Sequence, residues 1–423
     1  MMAFKKISSS LTIFLLILAG ESVFILPFVL QRIFRPTFLE TFQVSNTDLG
    51  YCFSVYGIVA LFSYLFGGPL ADKFHPKKLI SIALILTALG GFYLATIPSY
   101  LNMVFLYGFW GFTTIFLFWA AMIKATRIWG GKNNQGIAFG FLDGGRGLVA
   151  ALFGTLGVIV FTFFLPETVE DATLIERQKA FKQVILFCSI MVLLVGIIIY
   201  FFLKTEDDQN LTSESHTVSL ESFKTIMRFK SVWLLMIIVL CAYFGYKMTD
   251  VFSLYAKDVM LYNDVDSAKA GTSLLYMRPV IGVFIGIMAD RTKASIWLII
   301  GFLLMLITSL IFSTGIINSQ MTLVFVCSIG LMALGVYSAR VLYFATLEEA
   351  QIPLYLTGTV VGLVSVIGYT PDIFAGPIIG ILLDKSPGAL GHQHVFLVMA
   401  GFSLIGCMAS FWFYRLNNKD IFT

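Results

Sequence analysis

Eight ionisable side chains stand inside otherwise apolar stretches of this sequence: Glu21, Asp143, Arg146, Lys247, Asp250, Arg278, Arg340 and Asp372. A charge at the centre of a lipid bilayer costs roughly 2.5–3.5 kcal/mol on insertion scales, so each needs a ligand, a proton or a partner of opposite sign. Four are acidic and four basic, which lets them cancel. Asp143 and Arg146 are three residues apart, as are Lys247 and Asp250, a spacing that brings two side chains together on one helix face. For these two pairs, a structural salt bridge and a functional role stand open alike. Glu21, Arg278, Arg340 and Asp372 have no such neighbour in their own stretch and need one from another helix or from a ligand.

Arg278 is the leading candidate for binding an anion. It directly precedes Pro279, with Tyr276 two residues back. Proline frees a backbone carbonyl and bends a helix, and a guanidinium fork there suits a carboxylate or phosphate. The competing reading is an interhelical salt bridge to Glu21 or Asp372. Arg146 and Lys247 are further candidate anion contacts. Glu21, between Gly20 and Ser22, and Asp372, beside Pro371, are the candidates for carrying a coupling proton. A carboxyl group whose surroundings alternate between wet and dry is suited to taking up and releasing one. Arg340 lies nearer the end of its stretch, where a gate, a snorkelling side chain and a substrate contact are all open readings.

The elements that must position these groups are membrane helices. The chain has 423 residues, 58% hydrophobic and 12% charged, against about 25% charged in soluble domains. That excludes a soluble protein of two or three domains. A net charge of +4 with scattered basic residues excludes a nucleic-acid binder. A spanning helix needs about 20 apolar residues, and the polar breaks leave twelve such runs: 8–31, 48–71, 78–97, 101–124, 135–164, 181–203, 231–256, 268–289, 295–316, 321–346, 357–384 and 395–416. The first follows Lys5 and Lys6, but it is too long for the core of a signal peptide and no small-residue cleavage site follows it. Spans 3, 6, 9 and 12 carry no ionisable residue in their interiors, which fits them to face lipid.

Basic residues set the orientation. With the N-terminus inside, sixteen Lys and Arg fall in inside segments and eight in outside ones, including Arg32, Arg35, Arg177 and Lys257. Both termini are therefore expected in the cytoplasm. The polar segment 204–230 falls at the midpoint and reads as a linker between two six-helix halves, 1–203 and 231–423. The halves repeat: Gly68-Pro-Leu-Ala-Asp72-Lys73 after span 2 matches Gly286-Ile-Met-Ala-Asp290-Arg291 after span 8. Gly136-x-x-x-Gly140 and Gly358-x-x-x-Gly362 open spans 5 and 11, a pattern that permits close helix approach.

With these features the sequence resembles the major facilitator superfamily over its whole length. The sharpest motif is G-x-L-A-D-[RK]-x-x-x-[KR]-[KR], carried here by Gly68, Leu70, Ala71, Asp72, Lys73, Lys77 and Lys78 and repeated in degenerate form around Asp290 and Arg291. Pro76 stands where many members have Gly, and the segment looks more like the organic-anion and organophosphate branch. The antiporter motif of the fifth helix is not met, since Arg146 stands where it wants Pro. The resemblance implies an all-α fold of twelve membrane helices in two six-helix repeats, alternating access, and a conformational latch built on the Gly68–Lys78 motif and its copy. The plainer reading of Lys73, Lys77 and Lys78 is that they set topology.

Other signals carry less. Cys52, Cys188, Cys241, Cys327 and Cys407 lie in apolar runs without CxxC spacing and read as small buried hydrophobes. His392 and His394 form an H-x-H in an expected outside loop, too few ligands for a metal. Gly130-Gly-Lys-Asn133 lacks the first Gly and the Ser/Thr of a phosphate loop. Tyr51, Tyr56, Tyr64, Trp110, Trp119, Tyr243 and Tyr246 fit packing or a cavity lining. The sequence therefore predicts no enzyme, cofactor or metal. It predicts a monomeric secondary transporter of the cell membrane whose partners are a small organic anion, the lipid bilayer and a coupling cation such as a proton. Efflux of apolar or cationic compounds and a transporter-like sensor are the alternatives. A channel is disfavoured because the charges form no rings.

Overall fold

The computed structural model describes residues 2–130, 135–166, 172–204, 227–343, 345–350 and 354–417. Most of the expected linker, Lys132 and Lys419 lie outside the described residues. Among the described residues, twelve long helical segments follow the twelve apolar runs. Segment α1 runs Met2–Phe24, passes through a π-helical stretch Ile25–Val29 around Pro27, and ends at Leu30–Ile33; a short helix Arg35–Phe42 follows. Then come α2 (Asn46–Lys73), α3 (Pro76–Leu94) and α4, built of Tyr100–Gly111, a π-helical Phe112–Trp119 and Ala120–Gly130. After α5 (Gln135–Phe163) and α6 (Leu174–Phe202), α7 is Lys230–Met248, a 3-10 turn Thr249–Val251 and Phe252–Asp258. The series closes with α8 (Asp264–Arg291), α9 (Ala294–Ser313), α10 (Thr322–Leu342), α11 (Leu354–Gly368 and Pro371–Lys385) and α12 (Ala389–Asn417). Among the described residues, eleven helices are long and apolar enough to cross a membrane. The remaining expected span, 48–71, coincides with the 28 residues of α2.

Local chemistry explains the ends. A capping box starts α2: the Ser45 hydroxyl accepts from the Asp48 amide at 3.0 Å, and the Asp48 carboxylate accepts from the Ser45 amide at 3.0 Å. Thr173 and Glu176 do the same for α6. That helix therefore begins seven residues before the apolar run, in amphipathic turns that an apolar count passes over. Proline starts α3 (Pro76) and the second half of α11 (Pro371), where its missing N–H costs nothing.

The chain divides into two compact units. The first comprises 1–207, 250–279 and 376–381; the second comprises 208–249, 280–375 and 382–423. Two of the boundaries fall at backbone irregularities, the 3-10 turn of α7 and Pro279 within α8. In the first unit α1 packs on α5, α3 on α6 and α2 on α4; in the second, α9 packs on α10 and α12, and α7 on α11 and α12. The close approach of α9 and α10 uses glycine: a Cβ on Gly335 would stand 2.6 Å from the Gly301 carbonyl oxygen.

Several expectations change. Exposed large apolar side chains do line α6 (Leu194, Ile197, Phe201) and α12 (Leu397, Leu404, Met408), but they also line α2 (Ile58, Phe62, Phe66) and α5 (Leu148, Leu152, Ile159). Lipid-facing character is thus not confined to every third helix, because a helix can bury one face and expose another. His392 is not in a loop: α12 starts six residues earlier than expected and buries it completely. Cys327 is exposed rather than buried. Gly362 has open space about it, so it makes no close helix approach among the described residues.

Candidate functional site

Four of the eight interior charges meet in the first unit. Glu21 on α1 accepts from Arg146 Nε on α5 at 3.0 Å. Arg278 on α8 places Nη2 2.7 Å from an Asp143 oxygen and Nη1 3.7 Å from Glu21. Asp143 lies 4.0 Å from Arg146. The result is a ring of alternating sign, Glu21–Arg146–Asp143–Arg278, with no net charge. Glu21 and Arg278 are 2% and 3% exposed, whereas the Asp143 side chain is 41% exposed. Small residues make the ring possible: a Cβ on Gly147 would press within 3.1 Å of the Arg278 side chain. Aromatic rings floor it, with the Arg146 guanidinium 5.3 Å from the Phe24 ring centre and 5.8 Å from that of Trp119. Tyr276, two residues before Arg278, shares a 2.7 Å hydrogen bond with Thr155.

Lys247 and Asp250, spaced i,i+3, each take a partner from another helix. Lys247 stands in the last turn before the 3-10 turn Thr249–Val251, and Asp250 stands within that turn. Asp250 accepts from Arg32 at 2.5 Å, and Arg32 is 2% exposed rather than looped out. In the second unit, Lys247 Nζ lies 2.6 Å from Asp372. The Tyr243 hydroxyl donates to the same carboxylate, 3.1 Å from each oxygen. Lys247 is in the last turn of its helix and Asp372 in the first turn of another, positions where the helix ends favour those signs. Arg340 on α10 rests on Tyr246, its guanidinium carbon 3.8 Å from the ring centre.

A further ionic cluster joins residues that sequence reasoning passed over. Glu40 and Asp264 each accept from both Arg177 and Lys257, at 3.1 and 2.6 Å for Glu40 and 3.2 and 2.8 Å for Asp264. All four sit at the ends of expected spans or in expected loops, where charges are ordinary and pairing leaves no local pattern. Of the latch residues, Gly68 has open space about it, Lys73, Lys78 and Arg291 are exposed, and Lys77 lies 5.7 Å over the Tyr200 ring. The side chains of Asp72 and Asp290 lie outside the described residues. Lys124 donates to the Ala71 carbonyl at 3.3 Å, tying α4 to the motif's helix.

The sequence model of the Major Facilitator Superfamily matches residues 11–376. The chain belongs to that superfamily. It is 28% identical to the inner membrane protein YqcE of Escherichia coli (strain K12) over 404 residues, 92% of each chain. It is also 28% identical to the inner membrane protein YihN of the same organism, over 94% of this chain and 93% of that one. Among solved structures, a bacterial homologue of the human lysosomal transporter Spinster aligns over 98% of both chains with a TM-score of 0.75 at 15% identity. The nucleoside transporter NupG aligns over 96% of this chain with a TM-score of 0.73 at 12% identity. At those identities the likeness is one of fold. This superfamily member is a multi-pass membrane protein and a transporter, and the two ionic centres lie inside helices of that fold.

Proposed function

We propose that this superfamily member is a secondary active transporter that moves a small organic anion across the cell membrane by alternating access, with a proton as the coupling ion. Where the protein's own cations sit supports this reading. A cationic substrate binds through carboxylates and aromatic faces. In the second unit those groups already hold tethered cations: Arg340 on Tyr246, and Lys247 5.7 Å over Tyr243 and 2.6 Å from Asp372. In the first unit Glu21 is held by Arg146. An anion meets a lower barrier. It needs only to replace Asp143, the most exposed member of the ring, beside Arg278.

Protonation of Glu21 removes one competitor for the Arg278 guanidinium, which ties proton uptake to anion binding. Arg278 is then the main anion contact, with Arg146 and Lys247 supplying further positive charge. Glu21 and Asp372 carry the coupling proton. The six-helix halves 1–203 and 231–423 are the bodies that move, in a monomer with both termini in the cytoplasm. Uptake into proteoliposomes, measured against a panel of organic anions with and without a pH gradient, tests the reading. Gradient-dependent anion uptake supports it. Transport of a lipophilic cation, with no anion transported at either gradient polarity, refutes it.

A further inference from the structure

The ring of the first unit is complete without a ligand, and the group that completes it at Arg278 is itself a carboxylate. An Asp143 oxygen lies 2.7 Å from Arg278 Nη2 and 4.0 Å from Arg146 Nη1, the place an organic acid would have to take. Asp143 is also the one member of the ring able to give that place up. Its side chain is the most exposed of the four, and Gly144 beside it has open space about it. Glu21 is buried and held by Arg146 at 3.0 Å. With Asp143 seated, two arginines face two carboxylates and the ring is neutral. With Asp143 gone and nothing in its place, two buried arginines share Glu21 alone, and the ring carries a positive charge. Enclosing such a charge in a dry interior is costly unless a counter-charge goes with it.

We infer that Asp143 is a built-in stand-in for the transported anion: it fills the Arg278 seat when no anion is bound, keeps the empty site neutral, and so lets the empty carrier return across the membrane. A carrier that works by alternating access closes over its site on every passage, loaded or empty, and each closure must enclose a balanced set of charges. When an organic carboxylate takes the seat, Asp143 turns to water and the coupling proton on Glu21 offsets the added negative charge. The empty ring with Asp143 seated and the loaded ring with its proton are then both neutral and both able to close. Asp143 thereby sets net accumulation of the anion against mere exchange of one anion for another. The inference rests on the anion and proton reading above and adds the residue that governs the return step.

Proteoliposomes holding the full-length protein test it with radiolabelled lactate, gluconate and benzoate. Two rates are read for each acid: net uptake into empty vesicles, and counterflow into vesicles preloaded with the same unlabelled acid. In the wild type, preloading should accelerate uptake little, because the empty carrier already returns readily. In Asp143→Asn, counterflow should outrun net uptake by at least about tenfold, because only the return of the empty carrier encloses the unbalanced charge. Asp143→Glu, which restores the carboxylate, should bring that ratio back toward the wild type. A merely structural role would lower both rates together and leave the ratio unmoved. An unmoved ratio in Asp143→Asn therefore overturns the inference. Strong acceleration by preloading in the wild type also overturns it, whether or not the variant folds. In either case, uptake of the acids that Arg278→Lys weakens leaves the anion reading standing. Wild-type protein that moves none of the three acids removes that reading and this inference with it.

Discussion

Replacing Arg146 with alanine should destabilise the first unit far more than replacing Arg278, although both arginines touch Glu21. The distances set the order. Glu21 is 2% exposed and receives its hydrogen bond from Arg146 at 3.0 Å, with Arg278 farther off at 3.7 Å. Without Arg146 a buried carboxylate loses its donor, and breaking a buried pair in this way costs about 3–5 kcal/mol. The contacts with Phe24 and Trp119 go as well. Without Arg278, Glu21 keeps Arg146, and the acid left behind is Asp143, whose side chain is 41% exposed and can be solvated. That loss should be about 1.5 kcal/mol, the lower end for a hydrogen bond to a charged group. Thermal unfolding of detergent-purified variants reads the difference. The double variant Glu21→Gln with Arg146→Met should recover much of the stability lost in Arg146→Ala, because no buried charge is then stranded. Arg278→Lys should melt near wild type yet bind the transported anion roughly tenfold more weakly, since the fork is gone while the charge remains. If Arg278→Ala proves as damaging as Arg146→Ala while Arg278→Lys keeps full affinity, Arg278 is a brace, and the anion assignment loses its main support.

A cysteine introduced in segment 204–230 should react with impermeant reagents only from the inside, and one in 165–180 only from the outside; labelling of both from one side refutes the orientation. Asp72→Asn should slow turnover while leaving equilibrium substrate binding largely intact, and wild-type turnover would reduce the Gly68–Lys78 motif to a topology signal. In the Glu40–Arg177–Asp264–Lys257 cluster, Asp264→Asn alone should cost about 1 kcal/mol, because Glu40 still accepts from both cations. Adding Glu40→Gln should cost more than the sum of the single changes, and strict additivity of melting shifts would show that the four do not act as a network.

Much of the architecture was legible because the bilayer imposes a length. Each apolar run of about 20 residues became a helical segment, with ends moved by a few residues. The ends moved where a helix leaves the apolar run as an amphipathic turn. The first two turns of α6, capped by Thr173 and Glu176, are one case, and the start of α12, which buries His392, is another. The interior charges were legible as residue types, since a charge in an apolar run stands out in any sequence. Their pairings were not. Which of Glu21, Asp143 and Asp372 meets Arg278 depends on the rotation of separate helices about their axes, and no local spacing encodes that. Arg32 shows the same limit. It falls one residue past the first apolar run, so it reads as a loop charge, yet the helix continues through Ile33 and buries it against Asp250.

The backbone irregularities and the charges fall together, and this bears on how one proton could move a helix. The break after Met248 leaves Lys247 in the last turn of a helix, and the break before Pro371 leaves Asp372 in the first turn of another. A cation at a helix C-terminus and an anion at an N-terminus each gain about 0.3–1 kcal/mol from the helix dipole, more when partly buried. The Lys247–Asp372 pair therefore rests on its own attraction, on the Tyr243 hydrogen bonds and on two helix ends at once. An uninterrupted α7 would lose this arrangement: Lys247 and Asp250 would then face one another along one helix, and neither would sit at an end. Under the proton-coupled reading, neutralising Asp372 weakens the ion pair and the favourable dipole term in one step. The chemistry of a single carboxyl group is thereby delivered to the two places where α7 and α11 are already broken and least resistant to bending.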